Sequence, residues 1–102
     1  MADWVDTIKD IDVVLFQQKR LLIMSLLVAM GPLTQGDLRI KCQLTWGAVT
    51  AHLKQLLKAG YISQKDILTL KGPRVLIEVT EKGSNVYMET LDQLNHLALP
   101  TQ

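Results

Sequence analysis

The residues best suited to chemistry lie in one stretch, TWGAVTAHLKQLLKAGYI, which runs from Thr45 to Ile62. Its apolar residues recur at helical spacing and predict a helix with one buried stripe, made of Val49, Leu53, Leu56 and Leu57. The opposite face offers small residues, a hydroxyl and two cations without an acid, namely Gly47, Thr50, Ala51, Lys54 and Lys58. Because such a face can lie close to a polyanion, this segment is a candidate recognition helix for DNA.

The sequence gives no support for catalysis or for a metal or cofactor site. It has no Gly-rich phosphate loop and no ordered nucleophile and base. His52, His96 and Cys42 fall on separate predicted elements and lack ligand spacing, so we expect no metal. Cys42 could be a redox sensor, although a lone cysteine is more often a small buried hydrophobe. We therefore predict neither an enzyme nor a cofactor.

Length and composition predict one domain that spans residues 1–102 and is 48% hydrophobic. A single cysteine allows no disulfide framework, which favours a reducing, cytoplasmic setting. The N-terminus is acidic and does not resemble a signal peptide. The most apolar run, Leu21 to Met30, is too short to cross a bilayer, so we expect no membrane partner.

The net charge of +1 conceals an asymmetry between two parts of the chain. Residues 39–82 hold eight Lys or Arg and three Asp or Glu, a net charge of +5. The remaining residues hold three cations and seven acids, a net charge of −4. The basic part contains the candidate recognition helix, and a locally basic face is enough for phosphate contacts. The alternative is a chance asymmetry on a solvated surface.

Periodicity and turn residues predict a mainly α chain. A strong helix over residues 17–30 should be buried around most of its circumference, and Pro32 follows its end. Thr34 should cap a short helix over residues 35–41. Thr45 should cap the candidate recognition helix, and Gly60 should end it in the left-handed conformation.

Behind Gly60 the apolar period changes and predicts a small β-hairpin. Its strands lie within residues 61–70 and 74–79, and Lys71-Gly72-Pro73 is the expected turn. Thr80 should then cap a last helix, whose end is marked by Pro100.

This order of elements resembles the winged helix–turn–helix regulators of the MarR and ArsR type. KRLLIMSLL (19–27) is similar to their first core helix, and HLKQLLKAGYI (52–62) to the end of the recognition helix and the first wing strand. IEVTEKGSNVY (77–87) resembles the strand, Leu-Thr-x-x-Gly and helix that follow the wing. The resemblance covers about residues 12–98.

The resemblance implies a winged core over residues 17–80, an N-terminal extension over 1–16 and a C-terminal dimerisation helix over 81–99. In the resembling families the terminal helices pair across a two-fold axis, so a homodimer is implied. The expected interface is apolar and contains Trp4, Val5, Ile8, Tyr87, Leu91, Leu94, Leu97 and Ala98. The alternative is that the last helix folds back onto its own first helix.

By the same analogy, the N-terminal part of the recognition helix should lie nearest to DNA. The residues concerned are Thr45, Trp46, Gly47, Ala48, Thr50, Ala51 and Lys54. Trp46 departs from the family pattern and could be a half-buried packing residue or a base or sugar contact. Lys71 to Arg74 resembles a wing tip that could enter a minor groove, although a solvated turn is the alternative.

Four further residues complete the predicted interface. Lys65 could add a phosphate contact, and the flanks of the first helix–turn–helix element could anchor the DNA backbone through Thr34, Gln35 and Lys41. The resemblance thus implies a sequence-specific, double-stranded-DNA-binding transcriptional regulator, most simply a homodimeric repressor. The alternative is a winged helix that makes protein–protein contacts within a transcription complex or another complex. The sequence indicates neither an operator nor an effector.

Overall fold

The computed structural model describes Val14 and residues 17–98. The predicted extension over residues 1–16, with Trp4, Val5 and Ile8, therefore lies outside the described residues apart from Val14. The elements follow one another as α1 (Gln18–Met30), β1 (Leu33–Thr34), α2 (Gln35–Lys41), α3 (Trp46–Ala59), β2 (Ile62–Thr69), β3 (Gly72–Val79) and α4 (Glu81–Ala98). The mainly α architecture with a β-hairpin is confirmed.

Helix α1 is the centre of the core. Its residues Ile23, Met24 and Leu27 are fully buried because they share one face of the helix. Gly31 ends the helix, as predicted, with φ at 84°. The expectation that most of its circumference is buried was wrong, since Leu22, Val28 and Met30 are exposed. Apolar surface is therefore left uncovered on this helix.

Both helices of the helix–turn–helix begin at the predicted threonine caps. The Thr34 hydroxyl accepts from the Asp37 N–H at 3.1 Å, and the Thr45 hydroxyl accepts from the Ala48 N–H at 3.1 Å. The turn between α2 and α3 passes through Gln43, whose φ of 55° is unusual for a residue other than glycine. Gly60 ends α3 at φ 81°, as predicted.

The sheet has three antiparallel strands in the order β1-β3-β2. The hairpin was predicted, but β1 was not, because a strand of two residues has no readable period. It pairs Leu33 with Ile77, which is fully buried. The predicted turn was placed slightly late, since Gly72 already pairs with Thr69 and belongs to β3.

The ends of α3, β3 and α4 meet at one cluster of bonds, which we call the Thr80 clasp. The Thr80 hydroxyl caps α4 by accepting from the Gly83 N–H at 3.0 Å, and it donates to the Gly60 carbonyl at 2.6 Å. The Thr80 N–H donates to the Tyr61 carbonyl at 3.0 Å. Gly83 is buried, and a Cβ there would overlap the Tyr61 carbonyl group. The clasp therefore fixes the base of the hairpin against the end of α3.

Helix α4 packs one face on its own α1, so the fold-back alternative holds for that face. The Tyr87 hydroxyl donates to Ser25 Oγ at 2.8 Å, and Tyr87 is only 8% exposed. Its assignment to an intermolecular interface is corrected, because its burial within the chain leaves little of it to contact a partner. Met88 and Leu91 on α4 remain exposed. Leu97 and Ala98 lie in α4, but their side chains are outside the described part.

We expect Gly83→Ala to lower the free energy of unfolding by about 3 kcal/mol, because the new methyl group must displace backbone at the Thr80 clasp. The matched control is Gly47→Ala, on exposed helix with nothing near the added Cβ. This control should leave stability unchanged or raise it by up to about 1 kcal/mol. Urea unfolding measures both, and equal stability of the two variants would contradict the role given to Gly83.

Candidate nucleic-acid interface

The exposed face of α3 keeps the residues predicted for it together. Ala48 is half-buried at its margin, and the exposed members are Trp46, Gly47, Thr50, Ala51 and Lys54. Helix α3 contains no acidic residue. Gln55, which the sequence analysis missed, is also exposed one turn after Ala51. Its spacing of four residues from Ala51 places it on the same helix face and could have identified it. A side-chain amide can read base edges, as a hydroxyl can.

A polar contact joins α2 to this face of α3. The Gln35 side-chain amide donates to the Thr50 hydroxyl at 3.0 Å, and both residues lie near the surface. Thr34 and Thr45 use their hydroxyls as helix caps, so their first role is to hold α2 and α3 in place. Lys41 is exposed at the end of α2.

Trp46 lies across α2 at the start of α3. The Arg39 guanidinium carbon is 4.7 Å from the centre of its ring, which is cation–π geometry. The ring also comes within 3.6 Å of where a Cβ on Gly36 would be. Trp46 nevertheless remains 57% exposed, so it combines packing on α2 with an open ring face. Arg39 was missed as a site residue, because its position on a seven-residue helix gave no periodic signal.

We call the β2–β3 hairpin the wing. Its turn is held by local hydrogen bonds. Thr69 Oγ1 donates to the Gly72 carbonyl at 2.7 Å and accepts from the Lys71 N–H at 3.2 Å. Arg74 Nη1 donates to the Pro73 carbonyl at 2.8 Å. Lys71 and Arg74 are both exposed on this ordered turn and are available to a polyanion.

Two features of the wing were not expected. Lys65 makes an ion pair with Glu78 at 3.7 Å, so its charge is partly met within the chain. Leu68 and Leu70 extend into solvent at the tip, where Leu68 is 85% exposed. The sequence placed both leucines in a strand, where apolar side chains usually face a core. The tip is therefore both cationic and apolar.

A groove of about 600 Å³ lies between α2, the start of α3 and the wing, and we call it the α2–wing groove. Its lining brings together Gln35, Trp46, Lys71 and Arg74, which the sequence predicted on three separate elements. Arg39 lines it as well. Lys41, Lys54 and Lys65 lie outside that lining. Part of the predicted interface thus lines one groove, and the rest of it lies outside that lining.

His52 faces the interior side of α3 and has a structural role. Arg20 Nε donates to His52 Nδ1 at 3.2 Å, a bond that requires a neutral imidazole. Burial lowers the pKa of His52 below its ordinary value, and the charges of Arg20 and Lys19 lower this pKa further. His52 therefore ties α3 to α1 as a neutral side chain.

Cys42 is buried between α1 and α2. Burial raises the pKa of its thiol, and the charge of nearby Lys19 opposes this effect only in part. A buried thiol with a raised pKa is a poor nucleophile, which favours the packing role over the redox sensor. No cluster of potential metal ligands occurs among residues 17–98 and Val14. No helix in this described part is long and apolar enough to cross a membrane.

A family model described as a winged helix DNA-binding domain matches residues 19–98. The chain belongs to this winged helix family. The match spans the three helices, the wing and α4 in one continuous segment. Compared with curated proteins, the chain gives no significant match.

The solved structures similar to this chain include a transcriptional regulator homologue and two proteins in complex with DNA. A transcriptional regulator homologue from Pyrococcus horikoshii OT3 has a TM-score of 0.84 and 21% identity, over 96% of this chain and 95% of that one. The MepR–DNA complex of S. aureus has a TM-score of 0.71 and 18% identity, over 98% and 80%.

A MarR mutant of E. coli complexed with operator DNA has a TM-score of 0.68 and 14% identity, over 90% of this chain and 71% of that one. Identities this low show a shared fold. The family that matches is that of winged helix DNA-binding domains, and the solved structures share its fold.

We expect the bond between Arg20 and His52 to make stability depend on pH. The folded state binds a proton at His52 less readily than the unfolded chain, whose histidine pKa is 6.5. The contribution of His52 is therefore complete above that pH and falls as the pH drops toward the lowered pKa of the folded state. Urea midpoints between about pH 7.5 and about pH 5.5 should fall less in His52→Gln than in the parent.

The control is His96→Gln, because His96 is an exposed histidine on α4. It should lose stability with falling pH as the parent does. The same loss in all three proteins would contradict the role of His52.

Proposed function

We propose that this winged helix protein is a homodimeric, sequence-specific DNA-binding regulator that acts most simply as a repressor by occupying an operator. The proposal rests on the exposed face of α3, which has no acidic residue and continues into the α2–wing groove. Small side chains at Gly47 and Ala51 allow close approach to base edges, and Thr50 can donate or accept. The two neighbours solved with DNA support this use of the fold.

The division of roles follows from position. Lys54 and Gln55 extend from α3 toward the major groove, where side chains read sequence. Lys71 and Arg74 lie on the wing and suit the negative potential of an adjacent minor groove. Lys41 at the end of α2 suits a backbone phosphate, a contact that orients the protein without reading sequence.

Apolar surface supports the dimer. Leu22, Val28 and Met30 are exposed on α1, and Met88 and Leu91 are exposed on α4, which packs on α1. Exposed apolar surface on neighbouring elements is typical of an interaction site. A second copy on this surface would present two recognition helices, and two-fold DNA sites space such helices by about 34 Å.

A winged helix that binds another protein is the alternative, and the wing tip favours it. Leu70 is fully exposed, with a relative exposure of 108%, and Leu68 lies two residues away on the same tip. Apolar side chains at a tip suit a protein partner as well as a groove of DNA. Binding to duplexes at different salt concentrations separates the two functions.

Selection from a random duplex pool should enrich one sequence motif, and affinity for the selected duplex should fall steeply with salt. Lys54→Ala combined with Arg74→Ala should weaken binding by at least about 100-fold, because two phosphate or base contacts are lost. The matched control, Lys58→Ala with Lys82→Ala, removes one cation from the last turn of α3 and one from the first turn of α4. It should lose far less affinity at the same net charge. No enriched motif, or binding that is indifferent to salt, would favour the protein–protein alternative.

We expect Leu91→Glu to convert the dimer to a monomer, because the charge would be buried against the partner's apolar surface. Sedimentation equilibrium measures the change in mass. The control is Gln64→Glu, which adds the same charge at an exposed position of β2. It should stay dimeric. A parent protein that is monomeric at all concentrations measured would rule out the homodimer.

A further inference from the structure

Arg39 carries an unmet hydrogen-bonding group. Its Nε is buried, and no acceptor for it is found among the described residues. A buried N–H without a partner costs free energy, so such a group in a folded protein calls for an explanation. The guanidinium is nevertheless ordered, because its carbon lies 4.7 Å from the centre of the Trp46 ring. The packing thus fixes the position of a charge that has no ion-pair partner among the described residues.

The surroundings of Arg39 are those of an anion site. It lines the α2–wing groove together with Lys71 and Arg74, whereas Asp37 is the acid in that lining. The four charges leave an excess of two cations around one concavity. A volume of about 600 Å³ is far larger than an isolated water site and accommodates a phosphate with its adjoining sugar. The groove also offers an apolar wall, because Trp46 and Pro73 line it.

We propose that the α2–wing groove binds one phosphate of the DNA backbone, with Arg39 as its ligand and Trp46 as the surface that holds the guanidinium. This inference rests on the proposed DNA-binding function. Arginine suits the role because its planar fork can donate two parallel bonds to a phosphate while its face stacks on an aromatic ring. Lys71 and Arg74 add charge from the wing. An oxyanion in the groove would meet three cations that make no ion pair with any other described residue.

The proposed ligand of the groove is an oxyanion, and either a DNA phosphate or a free anion could supply it. Continuity favours DNA, since the groove is lined by Trp46 at the first position of α3 and opens beside the exposed face of that helix. A backbone phosphate bound there would fix the angle and depth at which α3 enters the major groove. Such a contact carries no sequence information of its own, but it sets the register for those that do.

The test uses the full chain and its selected duplex, with single phosphates replaced one at a time by uncharged methylphosphonates. For the parent, one position in each half-site should cost about tenfold in affinity through loss of the Arg39 contact. For Arg39→Gln, binding to the unmodified duplex should be weaker by a similar factor, and the same methylphosphonate should cost almost nothing more. Such non-additivity identifies a direct contact, because a merely structural effect would weaken all duplexes alike.

Two control variants test whether the loss of the Arg39 contact explains the result. Lys82→Gln removes the same charge from the first turn of α4, outside the lining of the groove, and should keep the methylphosphonate profile of the parent. Arg39→Lys keeps the charge but loses the fork, so it should retain the sensitive position with a smaller penalty. If the thermal midpoint of Arg39→Gln shows that it does not fold, Arg39→Lys is used as the test variant in its place. If the methylphosphonate profile of Arg39→Gln is identical to that of the parent, the assignment is overturned. If Arg39→Gln does not fold, an identical profile in Arg39→Lys overturns it.

A second arm separates DNA from a free anion. Inorganic phosphate is titrated while the fluorescence of Trp46 is followed in a Trp4→Phe background. Saturable binding that needs Arg39, together with no sensitive phosphate in the duplex, would mean that the groove serves a free anion and would overturn the DNA assignment. If the parent binds no duplex at all, the proposed function fails. If it binds DNA but Arg39 has no phosphate of its own, only the groove inference fails.

Discussion

The arrangement of this protein depends on the Thr80 clasp. One hydroxyl caps α4 through the Gly83 N–H and reaches the Gly60 carbonyl at the end of α3. The Thr80 N–H meets the carbonyl of Tyr61, next to Gly60. Because α3 ends and the hairpin begins at this point, the clasp sets the angle between α3 and the wing. A groove between α2, α3 and the wing can have a defined shape only if that angle is fixed.

The same constraint explains why the motif that follows the wing was readable in the sequence. Threonine supplies a hydroxyl that caps one helix and binds the end of another, and glycine three residues later allows a carbonyl to lie against the helix. Caps at Thr34 and Thr45 and the left-handed Gly60 were predictable for equally local reasons. Strand β1 was not, because its two residues acquire their pairing from the distant Ile77.

The candidate site also contains residues that could be predicted from the sequence and others that could not. Residues of α3 were predictable because helical spacing alone separates its buried face from its exposed one. Arg39 was not, because the case for it comes from stacking on Trp46 and from the lack of an acceptor for its Nε among the residues that the structure describes. The burial of Tyr87 also depends on the tertiary structure, since Ser25 on α1 receives its hydrogen bond. Periodicity shows which face of a helix is apolar, but it does not show whether that face meets its own chain or another.

The central claim is that α3 and the wing bind one duplex as a single surface. Amide chemical-shift changes during titration of the protein with its selected duplex test this most directly. We expect the largest changes along Trp46 to Gln55 and around Lys71 to Arg74, and these changes should saturate together at one stoichiometry. Changes confined to α4, or a wing that responds while α3 does not, would contradict it.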